Sequence, residues 1–322
     1  MSISLSAKII EEKILENFIE YQNLFIEFQS NFLSKLYKRH QGVENGVLAL
    51  YFAKDMHQNI LRQKDYNLNF NISFEKFWEN LELSFPIKKS IIKIAENVSL
   101  PKETARRKIS QLIKQKVLSK KNKIIGWFPN EQYKESYNLA VQKEIEGLSS
   151  LLIFICKKIN LSISTDNTEK QVKEKFNFYW FHFLGVQLEY AKLWSSQLKD
   201  LELVLITLQV ASIFAKKAKE KNFSHTNIYS NLNLIKDFES ASINATSVSE
   251  ITGIPRATCI RKLRHLVKLK MIKQDHTSKR YYLIPTSVSK NIISEEVTRK
   301  VTKVFCEFYF ICLRAISIKP SS

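Results

Sequence analysis

The chain is poor in residues that break or cross-link a polypeptide: 322 residues include only 6 Gly, 6 Pro and 4 Cys. So little punctuation disfavours an architecture of many short strands and turns, and most of the sequence has helical periodicity. Cys156, Cys259, Cys306 and Cys312 have no C-x-x-C spacing and no neighbouring histidine cluster. They read as buried small hydrophobes, not as metal ligands or a disulfide framework. The longest apolar run, Leu201 to Ala215, contains Glu202 and falls short of the roughly 20 residues of a membrane span. The opening MSISLSAKIIEEK has no basic segment followed by an apolar one, so the expectation is a cytoplasmic chain. Gly-rich phosphate loops, H-E-x-x-H, G-x-S-x-G and paired carboxylates are also missing, and no catalytic residue, metal or cofactor is predicted.

What is present is a repeat. Pro101 to Leu118 matches Pro255 to Ile272 at a constant offset of 154, with identity at Pro101/Pro255, Thr104/Thr258, Arg107/Arg261, Lys108/Lys262, Leu112/Leu266, Lys114/Lys268 and Lys116/Lys270. Downstream the offset becomes 156, setting Phe154-Ile155-Cys156 opposite Phe310-Ile311-Cys312, with the two extra residues expected between helix and strand. Upstream, Glu44 to Ala53 matches Glu202 to Ala211 at an offset of 158. A repeat of this extent predicts two copies of one folded unit, residues 1–160 and 165–322, joined near 160–170.

Charge follows the repeat. Of a net +19, residues 86–125 hold +10 (12 basic, 2 acidic) and residues 246–285 hold +7 (9 basic, 2 acidic). Codon bias toward lysine would spread the excess evenly, whereas concentration on two repeated segments points to a polyanion partner.

Long amphipathic stretches surround these segments. Ile10, Ile14, Phe18, Phe25, Phe28, Phe32 and Leu36 space one or two helices over 7–38, and Phe176, Tyr179, Phe183, Val186, Tyr190 and Leu193 do the same over 171–198. Such aromatic stripes read first as helix-packing core and only second as the lining of an effector pocket. The Asn-rich stretches 62–84 and 216–244 do not align with each other, and short helical pieces are expected within them.

In the second basic segment, Ser247 and Glu250 are spaced as a capping box, Gly253 supplies a turn, and Pro255 opens a helix running to about Leu269. Cys259, Leu263, Leu266 and Val267 face inward at helical spacing, leaving Ala257, Arg261, Arg264, His265 and Lys268 outward. The first copy presents Glu103, Arg107, Ser110, Gln111 and Lys114 in the same way, but Ser99 stands where the second has Gly253. Each helix is followed by an apolar pair, a polar tip (120–123 or 276–280) and a β-prone pair, Ile124-Ile125 or Tyr281-Tyr282, the pattern of a two-stranded wing.

The string SVSEITGIPRATCIRKLRHLVKLKMIKQDHTSKRYYLIP resembles winged-helix bacterial transcription regulators, most closely the MarR-like group. The resemblance implies a mainly α fold: two tandem winged-helix units, with helix-turn-helix and wing at about 86–128 and 245–285, on a helical dimerisation-like platform with pseudo-twofold symmetry. It sets Asp275 and Arg280 where that group has an Asp and an Arg in its wing.

The function expected is a sequence-specific, double-stranded DNA-binding transcription regulator acting as a single-chain pseudodimer, alone or as a pair of chains, with any small-molecule effector unidentified. The candidate DNA contacts are Lys102, Thr104, Arg107, Ser110, Lys114, Lys121 and Lys123 in the first copy and Arg256, Thr258, Arg261, Arg264, Lys268, Lys279 and Arg280 in the second. Arg107 and Arg261 are the foremost base readers, and a nucleoid association follows from that reading. The alternatives are a plasmid-type replication initiator with tandem winged helices and a protein-interaction scaffold that does not bind DNA.

Overall fold

A computed structural model describes residues 5–83, 86, 88–161, 164–220, 240–283 and 292–317. The fold is mainly helical, with twelve α-helices and two two-stranded antiparallel sheets among those residues. The first half contains α1 (Ala7–Glu16), α2 (Phe18–His40), α3 (Val43–Leu61), α4 (Ile91–Asn97), α5 (Lys102–Lys114), β1 (Ser119–Lys121), β2 (Ile124–Gly126) and α6 (Glu131–Lys158). The second contains α7 (Thr165–Glu174), α8 (Phe176–Leu198), α9 (Leu201–Glu220), α10 (Ala245–Thr252), α11 (Arg256–Lys268), β3 (Ile272–Gln274), β4 (Tyr281–Leu283) and α12 (Ile292–Ser317).

Helix boundaries recur at the sequence offsets, and for local chemical reasons. Ser6 caps α1 and Ser164, 158 residues on, caps α7, each hydroxyl accepting from a backbone amide three residues ahead. Ser90 caps α4 and Asn244, 154 residues on, caps α10. The Ser247–Glu250 capping box is therefore corrected: the cap is Asn244, and Ser247 donates its backbone amide to the Asn244 side chain across 2.8 Å. Left-handed backbone repeats too, with Gln41 (φ 55°) matching Lys199 (φ 53°), Ser99 (φ 55°) matching Gly253 (φ 79°) and Lys116 (φ 56°) matching Lys270 (φ 58°). Gly253 adopts positive φ at the turn where one was expected.

The halves share one hydrophobic core. Each contributes helices that pack against the other: α2 lies on α9 and α3 on α8, while α1 meets α12 and α6 meets α7. Phe25 packs against Tyr190 with ring centroids 6.4 Å apart, and Phe32 against Phe183 at 5.4 Å. Because 158 separates 25 from 183 and 32 from 190, these are the same contact seen from either half, and α2 and α8 cross with their chains antiparallel. Of the aromatic stripe positions, Phe28, Phe32, Phe176, Tyr179, Phe183 and Tyr190 are buried in this core. All four cysteines are buried and free.

Residues 62–83 form two 3-10 turns, Arg62–Asp65 and Trp78–Leu83. This segment of the first half docks on the end of α7 and the start of α8: the Phe74 amide donates to Lys173 O at 2.8 Å, and the Asn177 amide to Ile72 O at 3.3 Å. It encloses His57, whose ring stacks on Phe77 at 4.5 Å and hydrogen-bonds Asn177 at 2.7 Å. In the second half, 216–220 continue α9, and 221–239 lie outside the described residues. The expected join at 160–170 is shorter than that, since α7 begins at Thr165.

Candidate nucleic-acid interface

The two basic segments fold into matching sets: a short helix (α4 or α10), a turn with a left-handed residue, a second helix (α5 or α11), and a hairpin (β1–β2 or β3–β4). On α11, Cys259, Leu263 and Leu266 are buried and Val267 is partly so; on α5, Ala105, Ile109 and Leu112 are buried. One stripe is thereby committed to the core, which turns the other to solvent. Arg107, Ser110 and Lys114 are exposed on α5, as are Arg256, Arg261, Arg264, His265 and Lys268 on α11; Lys102 is exposed at the start of α5, and Thr104 and Thr258 are half-buried. The side chains of Glu103, Thr104, Arg107, Ser110 and Lys114 bound a shallow groove along α5.

Several of these groups already have partners. The Ser110 hydroxyl donates to its own helix at Arg106 O (3.1 Å), and the Arg256 guanidinium donates to the Thr246 hydroxyl (3.0 Å). Glu103 pairs with Arg106 at 2.8 Å, so the first helix carries an internal acidic partner on its outer face that the second lacks.

The hairpins differ at their tips. In the first, Asn122 (φ 50°) and Lys123 (φ 65°) make a two-residue turn in which both central residues are left-handed, the form that matches strand twist. Lys120 and Lys121 belong to strand β1, correcting the reading of 120–123 as one tip, though Lys121 and Lys123 remain exposed. In the second, six residues (275–280) separate β3 from β4, so the additional residues sit between the strands and not between helix and strand. The Asp275 carboxylate accepts from the Thr277 amide at 3.0 Å and the Ser278 amide at 2.8 Å, and hydrogen bonding from the Ser278 side chain, with these two amides, holds its pKa below the usual carboxylate value. Arg280 turns back from the tip, donating from Nε to the Ser242 hydroxyl (3.0 Å) and from Nη2 to Ser242 O (2.7 Å). Ile243 pairs with Tyr281 beside it through a single antiparallel bridge. Asp275 thus serves the hairpin's own backbone and Arg280 ties the hairpin to the segment before α10, while Lys279 is exposed (φ 58°).

Two basic residues counted on these segments point inward. Lys108 lies 3.0 Å from Glu44 and donates to Asn45 Oδ1 at 3.3 Å, and Lys262 lies 3.0 Å from Glu202 and also pairs with Asp200. Composition alone could not separate them from the outward lysines, but their spacing could: each lies three residues after one buried position and four before another, Ala105 and Leu112 or Cys259 and Leu266.

Beside α5 a cleft is lined by Lys35, Lys38, Arg39, Gln115, Tyr133 and Leu139. Glu144 on α6 is 7% exposed; burial raises its pKa to about 7, against the pull of Arg39 and Lys35. No helix among the described residues is long and apolar enough to cross a membrane. No protein-family model, no curated protein and no solved structure matches this chain.

Proposed function

We propose that the protein is a sequence-specific, double-stranded DNA-binding transcription regulator, with two winged-helix readers of MarR-like type carried as a pseudodimer in one chain. The observation that carries this reading is the paired exposure of α5 and α11. Two repeated helices sit on crossed, pseudo-symmetric platform helices, and each turns an Arg and a terminal Lys (Arg107 and Lys114; Arg261 and Lys268) to solvent.

In this reading α5 and α11 enter successive major grooves, about 34–36 Å apart along a duplex. Arg107 and Arg261 contact base edges, while Lys102, Lys114, Arg256 and Lys268 contact phosphates. Lys121, Lys123 and Lys279 add backbone contacts from the hairpins. Thr104, Thr258, Ser110 and Arg264 border the readers, with Ser110 and Arg256 exchanging their present partners for DNA. Arg280 acts indirectly, by holding the second hairpin. Because Glu103 and Ser110 stand where the other helix has Ala257 and Arg264, the preferred site is asymmetric.

Selection of bound genomic fragments at two salt concentrations tests this. The expected result is an enriched asymmetric motif whose affinity falls with salt, log K dropping by about 0.9 per phosphate contact for each tenfold rise in salt. Enrichment of repeated elements at one replication origin would instead identify an initiator, and salt-independent or absent binding would identify a scaffold.

A further inference from the structure

We infer that Lys108 and Lys262 are positioning residues: each locks an outward basic helix onto the first turn of a platform helix, and together they set the span between the two helices. This inference rests on reading α5 and α11 as DNA readers. Lys108 sits in the middle of α5 with its side chain 16% exposed, and Lys262 in the middle of α11 at 8%. Their carboxylate partners, Glu44 and Glu202, lie in the first turns of α3 and α9. There the free amides and helix dipole favour negative charge.

The same tie recurs in both halves although the lysines are offset by 154 and the glutamates by 158. It therefore survives a length change in the intervening segment, as an element of geometry would. The apolar contacts of Ile109, Leu112, Leu263 and Leu266 hold the helices down, but burial has no direction and permits rolling about the helix axis. Beside its ion pair with the glutamate, each ammonium also donates a hydrogen bond, Lys108 to Asn45 Oδ1 at 3.3 Å and Lys262 to Asp200, and a hydrogen bond from a charged donor is directional. Successive residues on a helix are turned by about 100°, so fixing Lys108 and Lys262 inward fixes the bearing of Arg107 and Arg261 outward. The glutamates belong to helices clasped by the opposite half, α3 by α8 and α9 by α2. Any roll of one reader is therefore measured against a frame that also carries the other.

The test uses spin labels at Ser110→Cys and His265→Cys, both exposed sites, in the full chain; the four native cysteines are buried. Pulsed electron-spin distances without DNA should give one narrow distribution. Lys108→Gln and Lys262→Gln should each broaden or shift it, and the charge-exchanged pair Lys108→Glu with Glu44→Lys should restore it. If Lys262→Gln fails to fold, Lys262→Arg, which keeps the charge, should preserve the narrow distribution. Unchanged distances in folded Lys108→Gln and Lys262→Gln would overturn the proposal. A parallel binding arm should show the ratio of specific to random affinity falling about tenfold with the salt slope unchanged, because no phosphate contact is removed. Should the unmodified protein bind no duplex, the DNA reading fails while the distance measurement still decides the positioning role.

Discussion

Lys38 of α2 lies across the turn at Gly253, so close that a Cβ added there would meet Lys38 Cγ at 2.9 Å. The obstruction is a flexible side chain, so the main cost of a larger residue is the backbone, held at φ 79°. Ser99 occupies the same left-handed position in the first half, at φ 55°. A non-glycine residue there costs about 1–2 kcal/mol, against roughly 0.5–1 kcal/mol of extra unfolded-chain entropy for glycine. Gly253→Ala should therefore destabilise by about 0.5–1 kcal/mol net, and Ser99→Gly should stabilise by about 0.5 kcal/mol. Urea titration of both variants decides; changes of the same sign would mean the two turns are not equivalent.

Stability should depend on pH through buried groups of opposite sign. Burial raises Glu144 from its ordinary 4.5 to about 7, so between those values the unfolded chain loses a proton that the fold retains. Its contribution is fully present below pH 4.5 and is lost as pH rises toward 7. His40 and His57 are lowered by burial from 6.5 to about 3, and their contribution is present above 6.5 and lost as pH falls toward 3. Glu144→Gln should be nearly neutral at pH 5 and stabilising by about 2–3 kcal/mol at pH 8, as a shift of this size implies. A pH-independent difference would show the carboxylate already ionised in the fold, held by Arg39 and Lys35.

Arg280 gives a prediction for the second hairpin. Arg280→Ala removes two hydrogen bonds to Ser242, a loss of about 1–2 kcal/mol, and should speed amide exchange at Ile243 and Tyr281. Lys279→Ala should leave both amides protected. If Arg280→Ala weakens DNA binding without changing exchange, its role is contact and not support.

For the proposed function, Arg261→Ala should cost about 1–3 kcal/mol on the preferred duplex and much less on random duplex, provided Arg261 reads a base edge. Equal losses on the two duplexes would reduce it to a phosphate contact. Lys268→Ala should weaken both duplexes alike and lower the salt slope by about one charge.

How much was legible beforehand differs by residue. The inward and outward faces of α5 and α11 follow from spacing along one helix, and Ile109, Leu112, Leu263 and Leu266 lie where periodicity sets them. The turn at Gly253 was readable from glycine chemistry. The cap at Asn244 was missed because Ser247 and Glu250 imitate a capping box, although Ser90, 154 residues earlier, is the matching cap.

Sequence alone determined the helical class, the repeated offsets and the stripe of each helix that is apolar, since these rest on interactions between residues a few positions apart. Tertiary structure decided which cations remain available to a partner. Lys108 and Lys262 find their carboxylates about sixty residues away, and Arg280 finds Ser242 thirty-eight residues away. Such pairings arise only when separate helices are brought together, because a charge in water has no preferred partner until burial removes its solvent and makes one necessary.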